Sequence, residues 1–252
     1  MRTADGGNLT RDLCETLGRA IVAGTFDGGF PTEAELSRIH GLSRSVTREA
    51  VKMLTAKGLL SARPKVGTVV EPGDRWNLLD PDVLRWQLER TISLDLLRQF
   101  SELRLAIEPA AAAFAADVPN NPGIAAIEHA FARMEAADRG EDDVLDADIQ
   151  FHVAILKAVQ NPFFAQFEEL VRTALHTSIQ LTNRLSGRHG ANVPQHGEVL
   201  EAIRAGDSER ARTTMYRLID EVLEVIGIAK RGEAALAPVE TPAVPDAEKA
   251  SA

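Results

Sequence analysis

Between Pro31 and Val70 the helix start and stop signals are so closely spaced that neither one long helix nor a sheet can form there. Thr32 followed three residues later by Glu35 is a capping box, which opens a helix at Pro31–Thr32. Leu36 and Ile39 give that helix an apolar side, and His40-Gly41 stops it. Ser43 opens a second helix that runs to about Ala56, with Gly58 beyond its end. At about 100° per residue, Leu42, Val46, Ala50, Met53 and Leu54 fall on one arc of this helix. Arg44, Arg48 and Lys52 fall on the opposite arc, with Ser45 beside them. Two short helices joined by a tight turn, the second carrying cations outward, form a helix-turn-helix arrangement. The following LLSARPKVGTVV reads as two short strands around a Lys65-Val66-Gly67 tip, a basic β-wing. A solvated basic face on a small helical cap would also account for the cations. Capping, spacing, cation placement and hairpin agree on DNA binding, however, and such agreement across levels favours it.

The formal charge of −9 looks wrong for a DNA binder until it is divided along the chain. Residues 1–72 carry a net +2, and residues 73–252 a net −11. The acidic part therefore cannot be the DNA surface, and its repulsion helps to orient the basic face toward phosphates. A chain of 252 residues is long enough for two modest domains. The single Cys14 excludes an internal disulfide and fits a reducing compartment. No signal-peptide pattern or membrane-length apolar run is present, so a cytoplasmic protein is expected.

The expected organisation is a winged helix-turn-helix domain over 1–72, with Leu13–Ala23 as its first helix after a loose start. A linker over 73–93 follows, with Pro72-Gly73 at the boundary. Residues 94–230 read as about six helices in a compact antiparallel all-α bundle, and 231–252 as a disordered tail. The fold class is thus mainly α, with a small β-wing. Within the helix expected at about Val144–Gln160, Asp148 and His152 project from the apolar stripe of Leu145, Ile149, Leu156 and Val159. A carboxylate on such a face is costly unless paired or bound to a metal. At i and i+4, an oxygen and an imidazole nitrogen can reach one ion. His196 shares a face with Val199, Leu200 and Ile203 and is a third candidate ligand. An Asp–His hydrogen bond beside an unrelated core histidine fits the same spacing. Arg104 suits bidentate recognition of a small carboxylate, or an internal ion pair with Glu108. Pro109 should kink its helix, and Ala110–Ala113 permits close packing. His176 and His189 are spare histidines.

The motifs I-x-x-G (Ile21–Gly24), PTEAELS, GLSRSVTREAV, L-x-x-KGLL and VGTVV, in that order, resemble the winged helix of GntR-type bacterial transcription regulators. The resemblance implies that Arg44 and Arg48 reach guanine edges or phosphates and that the Lys65–Gly67 wing tip lies in or along the minor groove. Ser45, Thr47, Lys52 and Arg63 complete the expected DNA-binding set. A basic residue common in the family is replaced here by Ala34. The stretches ELRLAIEPAAAAFAA, DADIQFHVAILKAVQNP and QHGEVLEAIRAGDSERARTTM are similar to the ligand-binding FCD domain of the FadR-type branch. That likeness implies a divalent metal, zinc or nickel, on Asp148, His152 and His196. A fourth histidine of the family is replaced by Leu218, which cannot ligate.

The connector WNLLDPDVLRW, read by itself, predicts tryptophan packing of a linker against the bundle. It also resembles the linker of galactonate-operon repressors, which implies an aldonate-like effector near Arg104, Asp148, His152 and His196. In the last helix Ala211, Met215, Leu218, Val222, Val225 and Ala229 repeat every seven or so residues, as intrachain core or as a dimer seam. A homodimer is expected, since paired half-sites are read by symmetric dimers. The resulting expectation is a homodimeric, ligand-responsive repressor of double-stranded operator DNA. A metal-dependent helical enzyme, and an activator sensing another carboxylate, are the alternatives.

Overall fold

The computed structural model describes residues 6–26, 29–90, 93–186 and 192–236. Helix α1 (Gly6–Val22) starts well before Leu13. Helices α2 (Glu33–His40) and α3 (Arg44–Ala56) follow. The Thr32 side chain accepts from the Glu35 backbone N–H, and Glu35 in turn accepts from that of Thr32. Gly41 ends α2 at φ 64°, a left-handed position that glycine adopts without a Cβ clash. Ser43 caps α3 by accepting from the N–H of Val46. Strands β1 (Leu60–Arg63) and β2 (Gly67–Val70) pair antiparallel, from Leu60 opposite Val70 to Arg63 opposite Gly67.

The core of this head combines Leu13, Leu17 and Ile21 of α1 with Leu36, Leu54 and Leu59. On α3 the buried positions are Thr47, Ala50, Val51 and Leu54, spaced i, i+3, i+4, i+7. The arc expected from the sequence is thereby rotated: Val46 and Met53 flank the core, while Thr47 lies inside it.

The connector is not a free linker. A single 3₁₀ turn, Gly73–Arg75, leads into α4 (Pro81–Arg90), which is buried on two sides. Val83 and Trp86 enter the core of the head, whereas Leu84 and Leu88 join a cluster with Leu97, Phe100, Leu170 and Ile226. The expectation that the tryptophans pack on the bundle is corrected: Trp86 is 2% exposed inside the head, and Trp76 packs against the same cluster. A Cβ on Gly18 would stand 2.4 Å from the Trp86 ring, so α1 and α4 can meet only because residue 18 has no side chain. Polar clasps surround this contact. Arg85 donates to both carboxylate oxygens of Glu15 at 2.7 Å, and Lys57 reaches Asp80 and Asp82 at 2.8 Å.

The bundle contains α5 (Leu94–Asp117), α6 (Ile124–Asp138), α7 (Val144–Ala158), the one-turn α8 (Pro162–Ala165), α9 (Glu168–Ser186), α10 (Val193–Arg204) and α11 (Ser208–Leu236). Helix α5 continues through Pro109, and its buried alanines 111–113, 115 and 116 allow a close approach to α11. Ala211, Met215, Leu218 and Ile219 of α11 are buried within this chain, so the start of the seven-residue stripe is intrachain core. Helix α11 runs on to Leu236, past the Arg231 at which structure was expected to end. His189 and residues 237–252, the greater part of the expected tail, lie outside the described residues. No described helix is long and apolar enough to cross a membrane.

Candidate functional site

Two places in the molecule hold chemistry, one on the surface of the head and one inside the bundle. On the head, Arg44, Ser45, Arg48 and Lys52 are exposed along the outer side of α3. Arg44 and Arg48 have no acidic partner among the described residues, whereas Lys52 makes only an exposed contact of 3.4 Å with Glu49. Thr47 is a correction: it is fully buried, and its hydroxyl donates to the Ser43 carbonyl at 3.2 Å, so it cannot meet DNA from there. The wing carries Arg63, Lys65 and Gly67 on its exposed end, with Gly67 at φ 95°. Arg63 lies 3.5 Å from Glu71, whose carboxylate also accepts from Ser61 and Arg75.

Inside the bundle, α7 and α10 bring Asp148, His152 and His196 together, all at most 6% exposed. Asp148 Oδ1 lies 3.3 Å from His152 Nε2 and 3.4 Å from His196 Nε2. The proton positions follow from the outer partners. His196 Nδ1 is 2.8 Å from the Asn192 carbonyl oxygen, which can only accept, so Nδ1 carries the hydrogen. His152 Nδ1 is 2.6 Å from Glu108 Oε2. Burial alone would raise the Glu108 carboxyl, but the charges of Arg104 and His152 outweigh it and hold it at about 2. An ionised Glu108 also only accepts, so the proton of His152 sits on Nδ1 in the neutral ring. Each imidazole then turns a bare Nε2 toward a carboxylate oxygen. Asp148 Oδ1 and His196 Nε2 are indeed buried without a hydrogen-bond partner.

Lone pairs facing one another in a dry interior need a proton or a cation between them. With ligand bonds of about 2.0–2.1 Å, a tetrahedral metal sets its ligand atoms about 3.4 Å apart. The 3.3 and 3.4 Å separations around Asp148 match that edge, and all three ligand atoms lie within 4.8 Å of one another. The donor set therefore fits a divalent cation such as zinc or nickel. Where no cation lies between them, a second proton on His152 stands in for it: burial lowers the His152 pKa, but the charge of Glu108 raises it overall. Burial opposes ionisation of Asp148 as well, yet hydrogen bonding and charge from imidazole in that protonated form hold its carboxyl well below the usual range.

Arg104 is 4% exposed and donates to Glu108 through Nε at 2.6 Å and Nη2 at 3.3 Å. The internal ion pair is thus the arrangement seen, and it reaches further than expected. Nη2 also lies 3.4 Å from both ring nitrogens of His152, which places the guanidinium beside the imidazole. Glu108 is the functional residue that sequence reasoning undervalued. Its signal was its i+4 spacing from Arg104; nothing in the sequence joined it to His152. Leu218 lies in the apolar cluster of the bundle and offers no ligand atom. His176 is exposed on α9, away from this cluster of ligands.

Comparison with known proteins gives the same division. The model for bacterial regulatory proteins of the gntR family matches residues 9–70, and the FCD domain model matches residues 99–221. The chain is 34% identical over 218 residues to the galactonate operon transcriptional repressor of Escherichia coli, which covers 84% of this chain and 94% of that protein. It is 26% identical over 198 residues to the Uxu operon regulator of Haemophilus influenzae, covering 76% and 71% respectively. The solved structure of Lar, described as controlling the Listeria monocytogenes agr system, shares the fold. Its identity is 18%, its TM-score 0.54, and the match covers 90% of this chain and 99% of that one.

Proposed function

Since the chain belongs to the GntR family of bacterial transcription regulators, in the branch that carries an FCD domain, we propose that it represses a sugar-acid catabolic operon and is released by the acid itself. It is a regulator rather than an enzyme, as its relatives are. The observation that carries the proposal is the meeting of Asp148, His152 and His196, with Arg104 alongside, in a domain physically tied to a DNA-binding head.

On the DNA side, α3 enters the major groove, where Arg44 and Arg48 meet guanine edges or phosphates with Ser45 and Lys52 beside them. The wing, through Arg63, Lys65 and Gly67, follows the backbone or minor groove. A homodimer, cytoplasmic like its operator, reads two half-sites.

On the sensor side, Asp148, His152 and His196 would hold a zinc or nickel ion. When bound, the ion supplies a Lewis-acidic point for an oxygen of the effector. With Leu218 at the position of the family's fourth histidine, an exogenous oxygen would complete the set. Glu108 holds His152 in the tautomer that presents Nε2. Arg104 keeps its Nη1 without a hydrogen bond among the described residues, so a carboxylate finds a charged donor beside the three ligands. The name of the galactonate operon repressor, a relative across most of both chains, points to an aldonate.

The route between the two sites is α4. Its Trp86 is inserted in the head, and its Leu84 and Leu88 lie against α9, which in turn packs on α7. The acid must bind one placement of α4 more tightly than another for release to follow. The experiment is to select an operator from random DNA with the purified protein, then titrate D-galactonate with and without zinc while following DNA by anisotropy. Release by the acid in the wild type, with Asp148→Ala still bound to DNA but unresponsive, is expected. Equal release from Asp148→Ala, or a failure of every aldonate tested to move DNA affinity, sinks the reading.

A further inference from the structure

A groove of about 660 Å³ lies between α4, the start of α7 and α9, within the 300–1,000 Å³ typical of small-molecule sites. None of Arg104, Glu108, Asp148, His152 or His196 lines it, so it is separate from the cluster described above. Its apolar part is Leu88 of α4 with Leu145 and Ile149 of α7. The wall from α9 presents Arg172, Thr173, His176 and Thr177, two adjacent pairs one turn apart on a single helix face.

The state of the polar groups decides the sign of the ligand. Three carboxylates border the groove, and each is already engaged. Asp146 accepts from Arg133 at 2.7 Å, Asp143 from the Asp146 backbone N–H at 2.8 Å, and Glu89 lies 2.6 Å from Arg19. The donors on α9 are not engaged in this way. Arg172 makes a single contact of 3.4 Å with Glu168, an acid already held by Lys157 at 2.8 Å. The side chains of Thr173, His176 and Thr177 have no hydrogen bond among the described residues. Half-buried hydroxyls and a guanidinium with unused donors, set over aliphatic side chains, favour an anion with an apolar body.

We propose that this groove is a second ligand site, which takes a compact organic carboxylate with an aromatic or branched body. Its carboxylate lies on Arg172, Thr173 and His176, and its body on Leu88, Leu145 and Ile149. The opposite wall is α4, and there Arg85 is already paired with Glu15 of α1. A ligand in the groove thus bears on the helix whose other face is inserted in the DNA-binding head. The site is independent of the metal cluster, and so of the sugar-acid reading.

Phenylacetate serves as the probe and phenylacetamide as its neutral match, titrated into the full chain and followed by calorimetry and ligand-observed NMR. Saturable phenylacetate binding is expected, with the amide about tenfold weaker or more. Arg172→Ala should weaken the acid by a similar factor, Arg172→Lys less, and Thr173→Trp should close the groove. Asp148→Ala should leave binding unchanged. Circular dichroism and a melting curve establish that each variant is folded, and Arg172→Lys carries the test if Thr173→Trp is not. The site is overturned if phenylacetate fails to saturate below about 10 mM, or if acid and amide bind alike. Binding lost with Asp148→Ala but kept with Arg172→Ala overturns it equally, by placing the acid at the metal cluster.

Discussion

In the head, Arg44, Arg48 and Lys65 stand exposed with no acid beside them among the described residues, whereas in the bundle Glu108, Asp148, His152 and His196 are buried and face one another. The two regions use charge for opposite ends. An exposed cation is satisfied by water and costs nothing to hold ready, so it can be spent on a polyanion whose counterions are released. A buried carboxylate among imidazoles is tolerated only with protons or a cation placed between them. The head is therefore finished before its partner arrives, while the buried cluster of the bundle still needs a proton or a cation between its members. Between them, α4 contributes side chains to both cores.

Removing a proposed metal ligand is the sharpest way to break this contrast. His196→Ala should lower zinc affinity by more than the roughly 10–100-fold that an outer-sphere change costs. Glu108→Gln, which touches no metal directly but frees both His152 Nδ1 and Arg104 from their carboxylate, should fall within that range. Isothermal titration with zinc measures both, and equal zinc binding by wild type and His196→Ala would refute the assignment. DNA affinity without effector should stay near the wild-type value in both variants.

On the head, Arg48→Ala and Arg44→Ala should each cost about 1–3 kcal/mol of operator affinity and leave zinc binding intact. Thr47→Ser, at a buried position, should alter thermal stability before it alters base preference. Anisotropy against the selected operator and single-base variants separates these outcomes; operator binding unaffected by both arginine changes would be fatal to the α3 docking.

The junction predicts an effect of similar size, on stability. Gly18→Val drives a branched side chain into Trp86 and should cost about 1–3 kcal/mol, read as a lowered denaturation midpoint. An unchanged midpoint would mean that α1 and α4 are not held together as described.

The smallest effect is electrostatic. Hydrogen bonding by Arg85 lowers the Glu15 carboxyl from 4.5 to about 2. A depressed carboxyl stabilises the fold above its unfolded value and loses that contribution as pH falls through its folded value. Glu15→Gln should therefore be less stable than wild type near neutral pH, and the two should converge between pH 4.5 and about 2. With Glu15 partly solvated, the difference should stay under about 1 kcal/mol. A gap that widened on acidification would show the clasp to be something other than this ion pair.

Much of the head was legible because its signals act within a turn of chain. Thr32 with Glu35, Gly41 and Ser43 each settle a helix end through hydrogen bonds to residues a few places away. Asp148 and His152 were legible for the same reason, being i and i+4 on one helix. Thr47 misled because a threonine beside exposed arginines looks like a DNA contact. A rotation of α3 by less than one residue's arc places it inside the core. Trp86 misled because α4 is apolar on two sides, and composition alone does not say which side meets which domain.

The sequence by itself determined the order of elements, the outward cations of α3, the wing and the three candidate ligands. All of these depend on spacing along the chain. Tertiary structure alone decided that Glu108 of α5 orients His152 of α7, that His196 of α10 comes within 3.4 Å of Asp148, and that Gly18 makes room for Trp86. Those pairings join residues about 44, 48 and 68 places apart, where no local rule of helix or turn applies and only the packing of one helix against another sets the distance.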